Sequence, residues 1–117
     1  MDHRVQRVIS LMEHSFGLQW SVASLAKTVN LSPWRLCHIF KTETSVAPLQ
    51  YLRTLRMEQA RRLLETTFLS VKEITIRVGA GDESHFVRHF KMTYGLSPAK
   101  YRLRFLRVGA KNGIGKH

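Results

Sequence analysis

The sequence repeats itself at a constant offset of fifty residues, 36–51 matching 86–101. The matched positions are Leu36/Phe86, Phe40-Lys41/Phe90-Lys91, Val46/Leu96, Pro48/Pro98 and Tyr51/Tyr101. A short apolar helix pattern precedes each block and ends at a residue that tolerates a positive φ, Asn30 in the first copy and Gly79 in the second. A helix, a tight turn and a second helix that begins with a capping residue form a helix-turn-helix unit. The sequence therefore predicts two such units.

The charge of the chain is strongly positive, with 19 Lys and Arg against 8 Asp and Glu and a formal net charge of +11. A field of this sign concentrates polyanions near the protein surface and accelerates encounter with them. Together with two helix-turn-helix units, it indicates double-stranded DNA as the partner. The charge alone also permits a sequence-neutral basic module that binds RNA or membrane surfaces, and this alternative stays open at this point.

Length and composition exclude other classes of protein. A chain of 117 residues holds one domain or two small lobes, and a scaffold with a deep catalytic pocket hardly fits. The sequence contains no nucleophile–base set and no paired carboxylates, so we expect neither an enzyme nor a cofactor. The single Cys37 excludes an internal disulfide and suits a reducing compartment. No run approaches the ~20 apolar residues of a membrane span, and the first residues lack the apolar stretch of a signal peptide. These features predict a cytoplasmic protein.

The hydrophobic pattern predicts an all-α fold, because strand-like alternation is not convincing anywhere. Helices are expected at about 5–16, 21–29, 32–44, 48–65, 70–79, 82–94 and 97–107. The predicted organisation is an N-terminal helix-turn-helix lobe at 1–47, a linker helix at 48–66, a C-terminal helix-turn-helix lobe at 67–107 and a flexible tail at 108–117. Gly17 is expected to end the first helix.

Capping residues mark most of the predicted helix starts. They are Ser21, Ser32 followed by Pro33, Ser70 in a capping box with Glu73, and Asp82. The two units differ in turn length, since Leu25 to Leu36 spans eleven positions and Ile74 to Phe86 spans twelve. We therefore expect related units that read different sequences.

A helical wheel separates a core face from an outward face in the second helix of each unit. In the first unit, Leu36, Ile39 and Phe40 cluster on the core side, and the outward side carries Trp34, Cys37, His38 and Lys41, with Arg35 at its edge. In the second unit, the core side carries Phe86, His89 and Phe90, and the outward side carries Ser84, Val87, Arg88 and Lys91, with Glu83 and His85 at the N-terminal end. The early turns of such a helix enter the major groove, so these positions are the candidate DNA contacts.

The outward residues suit base and phosphate contacts unequally. Arg88 can take guanine O6 and N7 as a fork, and Glu83 can accept from a cytosine amino group. Ser84 and His85 can bond to several base edges. Lys91, like Lys41 in the first unit, is a candidate phosphate anchor, which positions the protein without specifying a sequence. Trp34 offers apolar area for a thymine methyl group and an indole donor for a phosphate.

A metal site is not expected. His85 and His89 are four residues apart, as zinc ligands on a helix can be. No third or fourth ligand occurs at a supporting spacing, and His89 is predicted to face the core. Cys37 has no neighbouring cysteine that could resolve an oxidised thiol, so a redox sensor is not expected either.

Many positions resemble one known family in register. In the second copy they are Ile74 to Val78, Gly79, Asp82-Glu83-Ser84-His85-Phe86, Arg88, Phe90-Lys91, Gly95, Ser97-Pro98 and Tyr101-Arg102. In the first copy they are Leu25-Ala26, Leu31-Ser32-Pro33, Leu36, Phe40-Lys41 and Glu43, and in the linker helix Arg56-Met57, Ala60 and Leu63-Leu64. This pattern resembles the DNA-binding region of the AraC/XylS family of bacterial transcription regulators, over about residues 4–105.

The resemblance implies seven helices, two helix-turn-helix lobes and recognition of two adjacent major-groove segments. It places the family's base-contacting positions on Trp34, Cys37 and His38 and on Glu83, Ser84, His85 and Arg88. We expect a transcription regulator, more specifically an activator, that binds an asymmetric site as a monomer and has RNA polymerase as a candidate second partner. Most family members carry a further effector or dimerisation domain, so a stand-alone activator and a fragment of a longer regulator both remain open.

Two departures from the family pattern concern the second unit. Thr75 stands where a small residue is usual, and Ala80-Gly81 follow Gly79 where an aromatic residue is expected. We therefore expect looser packing in this part of the second unit and a more mobile turn.

Overall fold

Seven α-helices and no strands make up the part of the chain that the computed structural model describes, which is the backbone of 1–111 and the side chains of 1–107. They are α1 (His3–His14), α2 (Val22–Thr28), α3 (Pro33–Thr44), α4 (Pro48–Thr66), α5 (Val71–Arg77), α6 (Glu83–Tyr94) and α7 (Pro98–Lys111). The predicted all-α fold is confirmed. By its internal contacts the chain divides into two compact units, Met1–Arg56 and Met57–His117, so α4 contributes to both. The predicted partition into lobes, linker helix and tail stays a prediction.

Two helix ends differ from the sequence-based expectation. The first helix ends at His14 rather than near Phe16, because Ser15 leaves the helical conformation with φ −137° and ψ 43°. Phe16 still packs against the core, but from the turn that follows. The last helix continues to Lys111, beyond its expected end near Arg107, so 108–111 are helical. A single glycine lowers the stability of a helix by only about 1 kcal/mol relative to alanine, which is not enough by itself to end the helix. The rest of the predicted flexible tail, 112–117, lies outside the described residues.

The core of the first unit is built from the inner faces of α1, α2, α3 and the start of α4. Its fully buried side chains are Val5, Val8, Met12, Leu25, Ala26, Leu36, Phe40 and Leu52. The ring of Phe40 on α3 meets the ring of Tyr51 on α4 edge to face, with centroids 5.6 Å apart and an interplanar angle of 83°. This contact joins the second helix of the helix-turn-helix unit to the helix that follows it.

The second unit makes the same aromatic contact fifty residues later. Phe86 and Phe90 on α6 are buried, and the Phe90 ring meets Tyr101 on α7 at 5.6 Å and 80°. The Tyr101 hydroxyl also donates a hydrogen bond to the Glu65 carboxylate on α4. The repeat in the sequence is therefore a repeat of one packing contact.

The turn of the first helix-turn-helix unit is a Schellman motif, in which two amides beyond the helix satisfy carbonyls of its last turn. The Asn30 amide donates to the Lys27 carbonyl at 3.3 Å, and the Leu31 amide donates to the Ala26 carbonyl at 3.0 Å. Asn30 adopts the left-handed conformation that this motif requires, with φ 57°. The predicted positive φ at this position is confirmed.

The second turn repeats the motif with one extra residue. The Gly79 amide donates to the Ile76 carbonyl at 3.1 Å, and the Ala80 amide donates to the Thr75 carbonyl at 3.0 Å. Gly79 has φ 72°, and the additional Gly81 also has a positive φ, 80°. The extra residue is therefore a second glycine in the left-handed region, where residues with a Cβ are strained. The greater mobility predicted for this turn stays a prediction.

Thr75 occupies a fully buried position that corresponds to Ala26 in the first unit. Its hydroxyl donates to the Val71 carbonyl one turn earlier at 2.8 Å, so the buried polar group has a partner. The second unit thus accommodates the larger residue by a hydrogen bond within α5.

The predicted N-caps Ser21, Ser32, Ser70 and Asp82 all accept a backbone hydrogen bond in the first turn of their helices. The capping box predicted at α5 is confirmed: the Ser70 amide donates to Glu73 Oε1 at 3.0 Å, and the Glu73 amide donates to Ser70 Oγ at 3.1 Å. The hydrogen bond from the Ser70 backbone, followed by that from its side chain, lowers the pKa of Glu73.

Arg56 ties α4 to the turn that follows α1. Its Nε donates to the Phe16 carbonyl at 2.8 Å, and its Nη2 donates to the Leu18 carbonyl at 2.6 Å. Burial lowers the pKa of this guanidinium, which shows that it is partly removed from water. The two bonds satisfy carbonyls beyond the end of α1 that no helix partner reaches.

We predict that Arg56→Met lowers the free energy of unfolding by about 1.5–3 kcal/mol, the range for hydrogen bonds from a charged group. Urea denaturation measures the loss. The matched control is Arg53→Met on the same helix, which removes the same charge from an exposed side chain; it should change stability by less than about 0.5 kcal/mol. Equal losses in the two variants would contradict a specific role for Arg56.

We predict that the Glu73 carboxylate stabilises the protein only while it is ionised. Its folded pKa lies below the unfolded value of about 4.3, so its contribution is complete above that pH and is lost as the pH falls through the folded pKa. Glu73→Gln keeps a hydrogen-bond acceptor but removes the titration. The stability advantage of the wild-type chain over this variant should shrink between pH 7 and pH 3 in urea titrations, whereas a constant difference would contradict the prediction.

Candidate nucleic-acid interface

The orientation of α3 is set by its cap and by two buried side chains. Ser32 Oγ accepts the Arg35 amide at 3.1 Å, and Pro33 occupies the first helical position. Leu36 and Phe40 are both 0% exposed and hold the inner side of the helix against the core. The opposite side of α3 therefore faces water.

The five candidate residues of α3 lie on this outer side or at its margin. Trp34, Arg35, His38 and Lys41 are exposed, and Cys37 is half-buried. Trp34 is 71% exposed, an unusual position for so large an apolar ring in the absence of a partner. The structure thus places these side chains where the helical wheel predicts them, and their contact with DNA stays a prediction.

Trp34 and His38 form one stacked pair on α3. Their ring centroids are 5.2 Å apart, and the rings are nearly parallel, with an interplanar angle of 10°. The helical wheel treats the two residues separately and does not predict this pair, although their spacing of four residues places them side by side on a helix. The first unit therefore presents an aromatic block to solvent rather than separate side chains.

The corresponding side of α6 is polar and charged. Asp82 Oδ2 accepts the His85 amide at 2.9 Å and starts the helix, and Phe86 and Phe90 hold its inner side. Its exposed candidate residues are Glu83, Ser84, His85, Arg88 and Lys91. Val87 and His89 are half-buried at the margins of this face.

The cations of these two faces have no partners inside the described part of the protein. Arg35, Lys41, Arg88 and Lys91 form neither an ion pair nor a hydrogen bond through their side chains with any described residue. By contrast, Arg56 is bound to backbone carbonyls. The positive charges on the outer faces of α3 and α6 are therefore available to an external anion.

The repeat preserves the scaffold but not its outer surface. At the fifty-residue offset, Trp34 corresponds to Ser84, Cys37 to Val87 and His38 to Arg88, while Lys41 corresponds to Lys91. Of these four pairs, only the lysine pair keeps its residue type. Both units hold an exposed second helix in the same way, but they present different chemistry.

The structure provides no metal cluster at the paired histidines. The rings of His85 and His89 have centroids 6.3 Å apart, and the described residues contain no group of three His, Cys, Asp or Glu side chains that could hold a metal ion. Among the described helices, none is long and apolar enough to cross a membrane.

A family model described as a helix-turn-helix domain matches residues 25–104, from within α2 to within α7. The arabinose operon regulatory protein of Escherichia coli strain K12 is 34% identical over 103 residues, which cover 87% of this chain and 35% of that protein. The chain belongs to the AraC-type helix-turn-helix family. The resemblance inferred from the sequence is therefore confirmed.

Two solved DNA-binding or C-terminal domains share the fold over nearly their whole length. The DNA-binding domain of AdpA, a global transcriptional factor solved in complex with a target DNA, aligns with a TM-score of 0.86 at 33% identity, covering 96% of this chain and 98% of that one. The C-terminal domain of the response regulator yesN from Fusobacterium nucleatum aligns with a TM-score of 0.80 at 31% identity, covering 86% and 99%. The chain spans about a third of the length of the curated relatives it matches, for example 35% of the arabinose regulator.

Proposed function

We propose that this chain acts as a sequence-specific DNA-binding transcription regulator and inserts α3 and α6 into adjacent major-groove segments of double-stranded DNA. The observation that carries the proposal is the presence of two helix-turn-helix units whose second helices expose unpaired cations and base-reading side chains. Support also comes from the net charge of +11 and from the AdpA neighbour, whose structure contains its target DNA. The sequence-neutral basic module is less favoured, because two capped helices with defined faces are unnecessary for binding by charge alone.

The contacts divide into base reading and phosphate anchoring. In this proposal Arg88, Glu83, Ser84 and His85 read base edges from α6. On α3, the residues proposed to contact base edges are Trp34, Cys37 and His38, with Arg35 at the edge of the same face. Lys41 and Lys91 bind phosphates at equivalent places in the two units, which fixes each helix in register without selecting a sequence.

A single chain is proposed to bind an asymmetric site as a monomer. The two units present different residues at equivalent positions, such as Trp34 and Ser84, so they fit different half-sites. One chain then does what a symmetric dimer does with two identical units. Relatives named as activators, including the transcriptional activator NphR of a Rhodococcus species at 36% identity over 107 residues, support an activating role. In that role RNA polymerase is the proposed second partner.

We predict that the chain selects one asymmetric sequence from a pool of random duplexes and keeps binding it in excess random duplex. Specific regulators bind their sites typically 10³–10⁷ times more tightly than other DNA. Analytical ultracentrifugation of the selected complex should find one chain per short duplex. Equal competition by random duplex would favour the neutral module, and two chains per duplex would overturn the monomer.

We predict that Arg88→Ala costs about 1–3 kcal/mol of binding free energy on the preferred site and relaxes the choice at one base pair. Lys91→Ala is the matched control on the same helix face, and it should weaken binding to all sequences alike. It should also reduce the slope of log K against log salt by about one unit, as expected for one lost phosphate contact. Fluorescence anisotropy on specific and random duplexes measures both effects. An equal loss on both duplexes in Arg88→Ala would show that Arg88 does not read a base.

A further inference from the structure

The stacked pair on α3 is the feature of the exposed surface whose target group the proposed function does not yet specify. Trp34 remains 71% exposed although one of its neighbours stacks on it, so most of its apolar surface still faces water. The other tryptophan of the chain has a structural role, since Trp20 Nε1 donates to the Ser15 carbonyl at 2.9 Å. Trp34 makes no hydrogen bond through its indole nitrogen to any described residue. Its stacking contact with His38 is therefore not explained by the fold.

We infer that Trp34 and His38 act as one aromatic unit that reads the C5-methyl group of a thymine in the half-site facing α3. This inference rests on the proposed function and names the group that its first unit reads. The pair lies in the first two turns of α3, the part of such a helix that meets base edges. Thymine carries the one apolar group on the major-groove edges of the four bases.

The positions at and between the two rings differ in chemistry from the equivalent positions of α6. Cys37 lies between the two rings in the sequence and adds a half-buried thiol rather than a charge. The equivalent positions of α6 carry Ser84 and Arg88, which suit polar base edges. The two half-sites should therefore differ in the chemistry that is read, with a thymine methyl on the α3 side and hydrogen-bonding edges on the α6 side.

His38 is the positioning residue of this pair. An exposed tryptophan on a helix is free to change rotamer, and ordering it on binding costs entropy. The nearly parallel imidazole, at 5.2 Å and 10°, holds the indole in one orientation before DNA arrives. His38 therefore acts on the methyl contact through Trp34, in addition to any polar contact of its own ring.

The test replaces thymine by deoxyuridine, which keeps the hydrogen-bonding edge and lacks only the methyl group. The duplex is the one selected from a random pool, and the base pair at which Arg88→Ala loses its preference identifies the α6 half. Each thymine in the other half is then replaced singly. At one position the wild-type chain should bind about fourfold more weakly, the equivalent of burying one methyl group at about 0.8 kcal/mol.

The loss of affinity on replacing that thymine by deoxyuridine is called the uracil penalty below. Three variants decide which residues are responsible for it. Trp34→Ala should bind more weakly and treat thymine and uracil alike. His38→Ala should reduce the penalty, and His38→Phe should restore it, because a ring that can stack is enough to position the indole. Arg88→Ala is the matched control from the other unit: it lowers the affinity but leaves the penalty in the α3 half unchanged, since distant sites act additively.

Each other outcome overturns a defined part of the inference. A full uracil penalty in Trp34→Ala, or no position with a penalty in the wild-type chain, would show that Trp34 does not read a methyl group. A full penalty in His38→Ala would remove the positioning role, as would failure of His38→Phe to restore it. A chain that binds the selected duplex no better than random duplex would instead contradict the proposed function itself.

Discussion

The edge-to-face contact between a phenylalanine and a tyrosine is the interaction on which each unit depends. Phe40 meets Tyr51 and Phe90 meets Tyr101 at the same centroid distance, 5.6 Å, and at angles of 83° and 80°. Each contact fixes the rotation of a helix-turn-helix second helix against the helix that follows it. Once the rotation of a helix about its own axis is fixed by the side chains that it packs against the core, the side chains on its opposite side must face solvent. The exposed face of α3 is thus a consequence of its buried face.

Arginine side chains complete the scaffold by binding carbonyls where helices end. Arg56 donates to the carbonyls of Phe16 and Leu18 beyond α1. In the second unit, Arg102 Nε donates to the Leu64 carbonyl at 3.1 Å and its Nη2 to the Thr67 carbonyl at 3.3 Å, at the end of α4. The Leu64 carbonyl lies in the last turn of α4, where carbonyls carry partial negative charge and have no partner within the helix, so a guanidinium suits it well. Part of the positive charge of the chain therefore has a structural role, and net charge overstates what is available to DNA.

The repeated scaffold separates stability from specificity. The capping residues, the buried aromatic rings and the Schellman turns occur in both units, and these features determine how each second helix is held. The outer positions differ, with an aromatic pair on α3 and polar or charged residues on α6. Substitutions on the outer face can change its chemistry without changing the core, because exposed positions contribute little to stability. This independence explains how one repeated scaffold carries two outer faces of different chemistry.

The sequence by itself determined the helices, their caps and their faces, because these features depend on residues at most four positions apart. Ser32 beside Pro33 and the Ser70–Glu73 capping box could be recognised from local pattern alone, and the structure agrees. Only the tertiary structure decided where α1 ends, since Phe16 is partly buried against the core from the turn after α1 rather than from a continued helix. It likewise decided the bond from Arg56 to the Phe16 carbonyl, forty positions away. Such contacts depend on how helices and turns that are distant in the sequence pack against one another and on which rotamers that packing allows. The hydrophobic periodicity of a sequence contains neither kind of information.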